Sequence, residues 1–95
     1  MITLNLLESA GSFAENKDLA QSLRLEKIIP ALERGEEVVL NFDNVDGTTQ
    51  SFIHALISDP IRIYGSNVLD RITFKNCTET VQKIISIVVD YMQES

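Results

Sequence analysis

The chain is predicted to fold as a small α/β domain in β-α-β-α-β-α order, with a short, mostly parallel sheet packed by helices. Three observations carry that prediction. Val38–Phe42 is apolar except for Asn41 and rich in β-branched and aromatic residues, which suits a short strand buried on both faces. Ile2–Leu7 alternates apolar and polar residues in its first positions, the period of a strand with one face less buried, at or near the sheet edge. Val81, Ile84, Ile85, Val88, Val89 and Met92 recur at i, i+3, i+4, i+7, i+8 and i+11, the strongest helical period in the chain.

The elements follow in order. After the first strand, Glu8–Lys17 carries Gly11, Ser12 and Asn16 and reads as a loop, with Phe13 placed to pin it to the core. Leu19, Ala20 and Leu23 share one helical face, whereas Leu25, Ile28, Ile29 and Leu32 repeat in a different phase. The prediction is therefore a short helical turn at Asp18–Gln21 and a main helix over Leu23–Arg34, with Ser22 as N-cap. Pro30 removes a backbone donor and presses on the carbonyl of Glu26, so a kink or restart is expected there. Gly35 is placed to cap the helix before the central strand.

Asp43-Asn44 leaves that strand, and Asp46-Gly47 reads as a turn whose glycine takes positive φ. Thr48, Thr49, Gln50 and Ser51 precede Phe52, Ile53, Leu56 and Ile57, which repeat at helical spacing. Strand, turn and helix thus bring polar side chains to a helix N-terminus, where free N–H groups and the positive dipole end converge. Ser58-Asp59-Pro60 is expected to break the helix, because the residue before proline avoids helical backbone angles. Ile61–Tyr64 is then a fourth short strand or a further helical turn ending at Gly65. Asp70–Lys75 alternates as a strand, closed by Asn76-Cys77-Thr78. Thr78 is the expected N-cap of a last helix over Glu79–Gln93. Crossovers between parallel strands are expected to be right-handed, laying the helices against the sheet.

Ninety-five residues make one domain, 1–95, able to fold without metals or disulfides. One cysteine excludes an intramolecular disulfide and fits a reducing cytoplasm. No stretch approaches the roughly 20 apolar residues of a membrane helix, and the first residues lack the basic and long apolar parts of a signal peptide. The expected location is cytoplasmic. The net charge of −6, with basic residues scattered singly, disfavours nucleic acid and anionic membranes as partners.

Few side chains point to chemistry. Asp43, Asp46 and the pair Glu36-Glu37 invite an acid–base or Mg²⁺ reading, but turn chemistry accounts for the first two and no second acidic strand end accompanies them. His54, the only histidine, has no cysteine, aspartate or second histidine at metal-ligand spacing. Its i+3 relation to Ser51 would allow a hydrogen bond, but no orienting acid is visible. Cys77 reads as a small, partly buried residue. Neither a catalytic residue, a metal ligand nor a cofactor is expected, and an enzyme is disfavoured. Any of Thr48, Thr49 and Ser51 would serve simply as a helix cap, worth about 1 kcal/mol.

The central segment resembles the STAS domain family. Val38-Val39-Leu40-Asn41-Phe42 lies on that family's hydrophobic strand, Val45 on its loop valine, and Gln50-Ser51 on the serine pair that starts its second helix. It is more similar still to a STAS-like family of bacterial domains with a DF-x-x-V-x-x-x-T-x-S-F signature, read here as Asn41-Phe42, Val45, Thr49 and Ser51-Phe52. Arg24 stands where the family places an Arg at the start of the preceding helix. Asn41 departs from the usual Asp. Thr49 and Phe52 depart from anti-sigma-factor antagonists, which carry an acidic residue and a glycine there, and agree with the STAS-like branch.

The resemblance implies a STAS-like sandwich of two or three layers, with Ile61–Tyr64 as the helical turn. It also implies an interaction module that binds a histidine-kinase-like ATPase or an anti-sigma-type regulator. The implied contact is the loop Asp43, Asn44, Asp46, Gly47, Thr48, Thr49, Gln50 and Ser51 with His54 on the helix behind it. Ser51 lies at the position at which those antagonists are phosphorylated by a partner kinase, and its phosphate would arrive beside Asp43 and Asp46. The alternative is a sensor of a small ligand or nucleotide at the same helix N-terminus. A homodimer through the last helix stays open if its apolar arc, widened by Ile87, exceeds what the sheet covers.

Overall fold

The computed structural model describes residues 1–94. The first half contains β1 (Ile2–Asn5), α1 (Leu6–Ala10), β2 (Phe13–Ala14), α2 (Lys17–Leu23), a π-helical turn (Arg24–Ile28) and α3 (Ile29–Glu33). The second contains β3 (Val38–Asn41), β4 (Gly47–Thr48), α4 (Gln50–Tyr64), a 3-10 segment (Ser66–Arg71), β5 (Ile72–Lys75) and α5 (Glu79–Glu94).

Strands β1, β3 and β5 form a parallel sheet with β3 in the middle and β1 at one edge, as its alternation predicts. The register aligns Ile2, Val38 and Ile72, and then Leu4, Leu40 and Phe74, on one face. That face carries the core, with Val38, Leu40, Phe42, Phe52, Ile53 and Leu56 fully buried. The opposite face aligns Thr3, Val39 and Thr73, and then Asn5, Asn41 and Lys75. Only Val39 and Asn41 on that face are even half-buried. The central strand is therefore not buried on both faces, as its apolar run suggests, and the sandwich has two layers. All-parallel sheets are usually covered on both sides. Here threonine, asparagine and lysine at alternate positions let one face stand in water.

The first loop differs from expectation. Leu6 is fully buried and turns into α1, ending β1 two residues early. Beyond Gly11, β2 pairs in parallel with β4, Phe13 opposite Gly47 and Ala14 opposite Thr48. Buried Ala14 anchors the loop, whereas Phe13 is 51% exposed and lies over Gly47. A Cβ on Gly47 would sit 2.9 Å from the Phe13 ring, so glycine serves close approach there and not a turn. The left-handed residue is Asn44, φ 63°, inside a turn closed by the Val45 amide donating to the Phe42 carbonyl at 2.9 Å. Asparagine tolerates that conformation better than most residues.

Helix α2 starts earlier than Ser22. Asn16 is its N-cap, accepting from the amides of Asp18 and Leu19 at 3.0 and 3.2 Å. Helical backbone then runs unbroken to Glu33, and the two apolar phases are reconciled by the π turn, in which the Ile29 amide donates to Arg24 five residues back. A wider turn rotates the following face backward by about the angle of one residue. It also opens the place where an α-helix would press the Pro30 ring on the Glu26 carbonyl. The end of α3 is as the glycine predicts. Gly35 (φ 81°) donates to Leu32 and Glu36 to Ala31, at 3.0 and 2.9 Å, a Schellman closure. Arg71 adds a clamp, donating to the carbonyls of Leu32 (2.8 Å) and Glu36 (3.2 Å) while lying 6.0 Å from the Tyr64 ring centre.

Helix α4 passes straight through Pro60, contrary to the expected break. The missing amide leaves the Leu56 carbonyl without its usual partner, but Leu56, Ile57, Pro60 and Ile61 are all buried, and that packing outweighs one lost bond. Ile61–Tyr64 is accordingly the helical alternative, and Gly65 (φ 82°) ends it. The strand predicted from Asp70 begins at Ile72, because 3-10 geometry continues through Arg71. Thr78 caps α5 as expected, accepting from the Val81 amide at 3.2 Å.

Glu36 receives Arg34 at 2.7 Å and the chain's amino group at 3.3 Å, and these partners, Arg34 first, hold its carboxyl below the ordinary range. A depressed carboxylate contributes stability at neutral pH that is lost as pH falls through its folded value. The denaturation midpoint of Glu36→Gln is therefore expected to lie below wild type at pH 7 and to converge with it at pH 3. Parallel curves at both pH values would remove Glu36 from the acid response.

Candidate functional site

The hydroxyl-rich start of α4 divides its labour. Thr48 is buried in β4 and donates to the Ala14 carbonyl at 2.7 Å, joining the two short strands. Thr49, in extended conformation, is the N-cap and accepts from the Phe52 amide at 3.1 Å. Gln50 and Ser51 are the first two helical residues, and both are exposed. Ser51 makes no side-chain hydrogen bond among the described residues.

Beside Ser51 opens a groove of about 550 Å³ between α2, α4 and α5. Lys17, Gln21 and Arg24 line one wall, and Gln50, Ser51, His54 and Ala55 the floor. Ile87, Val88 and Tyr91 form the other wall. Among the described residues no carboxylate lines it, although the chain carries −6 overall. Arg24 fastens the π turn to α4. Its Nη1 donates to the Ala55 carbonyl at 3.2 Å, and its Nε lies 3.3 Å from Asp59 Oδ2, within ion-pair range but off-line for a hydrogen bond.

Of the loop and helix residues expected to form the contact, the groove brings together Gln50, Ser51 and His54. Asp43, Asn44 and Asp46 are exposed but outside its lining, so a phosphate on Ser51 would share a groove with Lys17, Arg24 and His54 and not with those carboxylates. Gly47, Thr48 and Thr49 have structural tasks. Lys17, Gln21 and Tyr91 were not legible as site residues, because only the packing of α2 and α5 against α4 brings them to Ser51. Arg24 had one signal, its position in the family pattern.

Asn41, which departs from the usual Asp, bridges the ends of the neighbouring strands. Its Nδ2 donates to Asn5 Oδ1 at 3.0 Å, while its Oδ1 accepts from Asn76 Nδ2 and the Asp43 amide at 3.0 and 3.1 Å. An aspartate would keep the acceptor and lose the donor, so the amide suits a ladder linking the carboxyl ends of all three strands.

Among the described residues no group of His, Cys, Asp and Glu could hold a metal. Cys77 is half-buried, and burial pushes its thiol up, away from the thiolate. No helix among the described residues is long and apolar enough to cross a membrane.

A two-layer α/β domain with a short parallel sheet, and a polar helix start beside a groove, defines the class. The chain matches the family described as a STAS-like domain of unknown function (DUF4325) over residues 20–82, about two thirds of its length, and it belongs to that family. The match runs from α2 through the first turn of α5, so it includes Arg24, Ser51 and His54 and excludes Lys17, Ile87 and Tyr91. No curated protein and no solved structure matches the chain.

Proposed function

We propose that this protein is a non-enzymatic, cytoplasmic interaction module that binds a partner protein through the Asp43–Ser51 segment and α4, with Ser51 as the phosphoacceptor controlling the contact. The observation that carries the reading is the free, exposed Ser51 hydroxyl, relieved of structural duty because Thr49 caps the helix. Phosphate would add about −1.5 to −2 charges at a helix N-terminus, where the dipole favours it. A contact surface would thereby change without a change of fold. The family resemblance supports a histidine-kinase-like ATPase or an anti-sigma-type regulator as the partner.

A pull-down from native lysate with wild type, Ser51→Ala and Ser51→Asp, read by mass spectrometry, tests this. The expected result is one partner held by wild type and Ala and lost with Asp. Equal capture by all three would take Ser51 out of the mechanism, and no specific capture would end the reading.

The groove volume supports a second reading, a sensor of a small anion, since ligand pockets span about 300–1,000 Å³. Thermal unfolding across a nucleotide panel separates the two, because a bound ligand raises the midpoint and a flat panel counts against sensing.

A further inference from the structure

We infer that the groove between α2, α4 and α5 receives an acidic segment of the partner that carries an apolar or aromatic anchor residue. The inference rests on the interaction reading above and names the chemistry of the partner. The first argument is charge. In a chain of net −6, the groove contains Lys17 and Arg24 with His54, and no carboxylate among the described residues lines it. Arg24 is partly neutralised by Asp59, so Lys17 is the cation with most to offer. A basic segment would meet repulsion here and an acidic one attraction, which is how charge selects partners at an interface.

The second argument is the opposite wall. Helix α5 buries Val81, Ile85, Val88 and Met92 in the core, yet Ile87 and Tyr91 remain 48% and 66% exposed and face the groove together. Aromatic and aliphatic surface at the edge of a cleft is the usual seat of an anchor side chain. Cations on one wall and apolar surface on the other require both properties in one ligand. Ser51 lies on the floor between them, so its phosphate would compete for Lys17 and Arg24 and displace the acidic segment.

A random peptide library displayed on phage and panned against the full chain tests the inference. Enriched peptides are expected to combine Asp or Glu with Leu, Ile, Phe or Trp. The best of them, labelled and titrated by fluorescence anisotropy, is expected to weaken about tenfold or more with Lys17→Glu and with Tyr91→Glu, and to weaken as salt rises. Lys17→Glu is safe for the fold, since an acid in the first turn of α2 suits the helix dipole. Lys75→Glu, on the open sheet face, is the control expected to change nothing. Enrichment of basic or uncharged peptides, no enrichment over a blank surface, or indifference to Lys17→Glu would overturn the proposal. So would a dimer in solution that Tyr91→Glu dissolves, because a second copy would then occupy the groove. If the pull-down captures a partner but panning fails, the interaction reading survives on another surface. If the acidic peptide binds wild type and Ser51→Asp equally, the groove stands and the Ser51 switch falls.

Discussion

Phe42→Ala is expected to remove about 3–5 kcal/mol of stability, the usual cost of deleting a buried aromatic side chain. Domains of this kind are stable by only about 5–15 kcal/mol, so the variant should be marginal or unfolded at room temperature. Phe42 is fully buried just beyond β3, and its ring meets Phe74 with centroids 6.5 Å apart, tilted by 37°. Such a pair adds about 0.5–1.5 kcal/mol beyond simple burial. The site also cannot collapse easily, because Phe42 donates its amide to the Lys75 carbonyl at 2.8 Å and accepts from Val45. Phe13→Ala is the comparison, a ring of the same size that is 51% exposed. Urea unfolding of both variants gives the answer. Similar losses for the two would mean that Phe42 is not the centre of the core.

Arg71→Met is expected to cost about 2 kcal/mol, within the range for hydrogen bonds made by a charged donor. One Arg71 nitrogen serves the carbonyls of Leu32 and Glu36, which flank the turn between α3 and β3. Leu32 keeps its bond from Gly35 when the guanidinium is removed, whereas the clamp across the turn is lost. Methionine retains much of the stem's packing against Tyr64, so the loss reports the polar contacts. Urea midpoints give the size, and faster amide exchange at Gly35 and Glu36 gives the location. A stability loss with unchanged exchange there would place the effect elsewhere.

Much of the fold was legible because apolar period and cap chemistry agreed locally. The spacing from Val81 to Met92 gave α5, Thr78 its start, and Gly35 and Gly65 the ends of α3 and α4. The failures share one cause, local rules outweighed by tertiary packing. Pro60 reads as a break until the burial around it is counted, and Gly47 reads as a turn until the Phe13 ring is seen above it. The run Val38–Phe42 suggests two covered faces because its own composition does not reveal that Thr3 and Thr73 flank Val39. The site was half visible. Ser51 stood out through its resemblance, but Lys17 lies 34 positions away in sequence and joins it only by helix packing.

The π turn between α2 and α3 also bears on how this chain is lined up with others. A π turn is equivalent to one residue inserted into an α-helix. Leu25, 59% exposed within it, adds length without adding to the core. An uninterrupted α-helix would present Ala20 and Leu32 to the same neighbours with one residue fewer. Alignment of this stretch with a regular helix therefore needs a single gap between Leu23 and Ile29. Without it, either Arg24 or Pro30 is matched to a position on the wrong side of the helix.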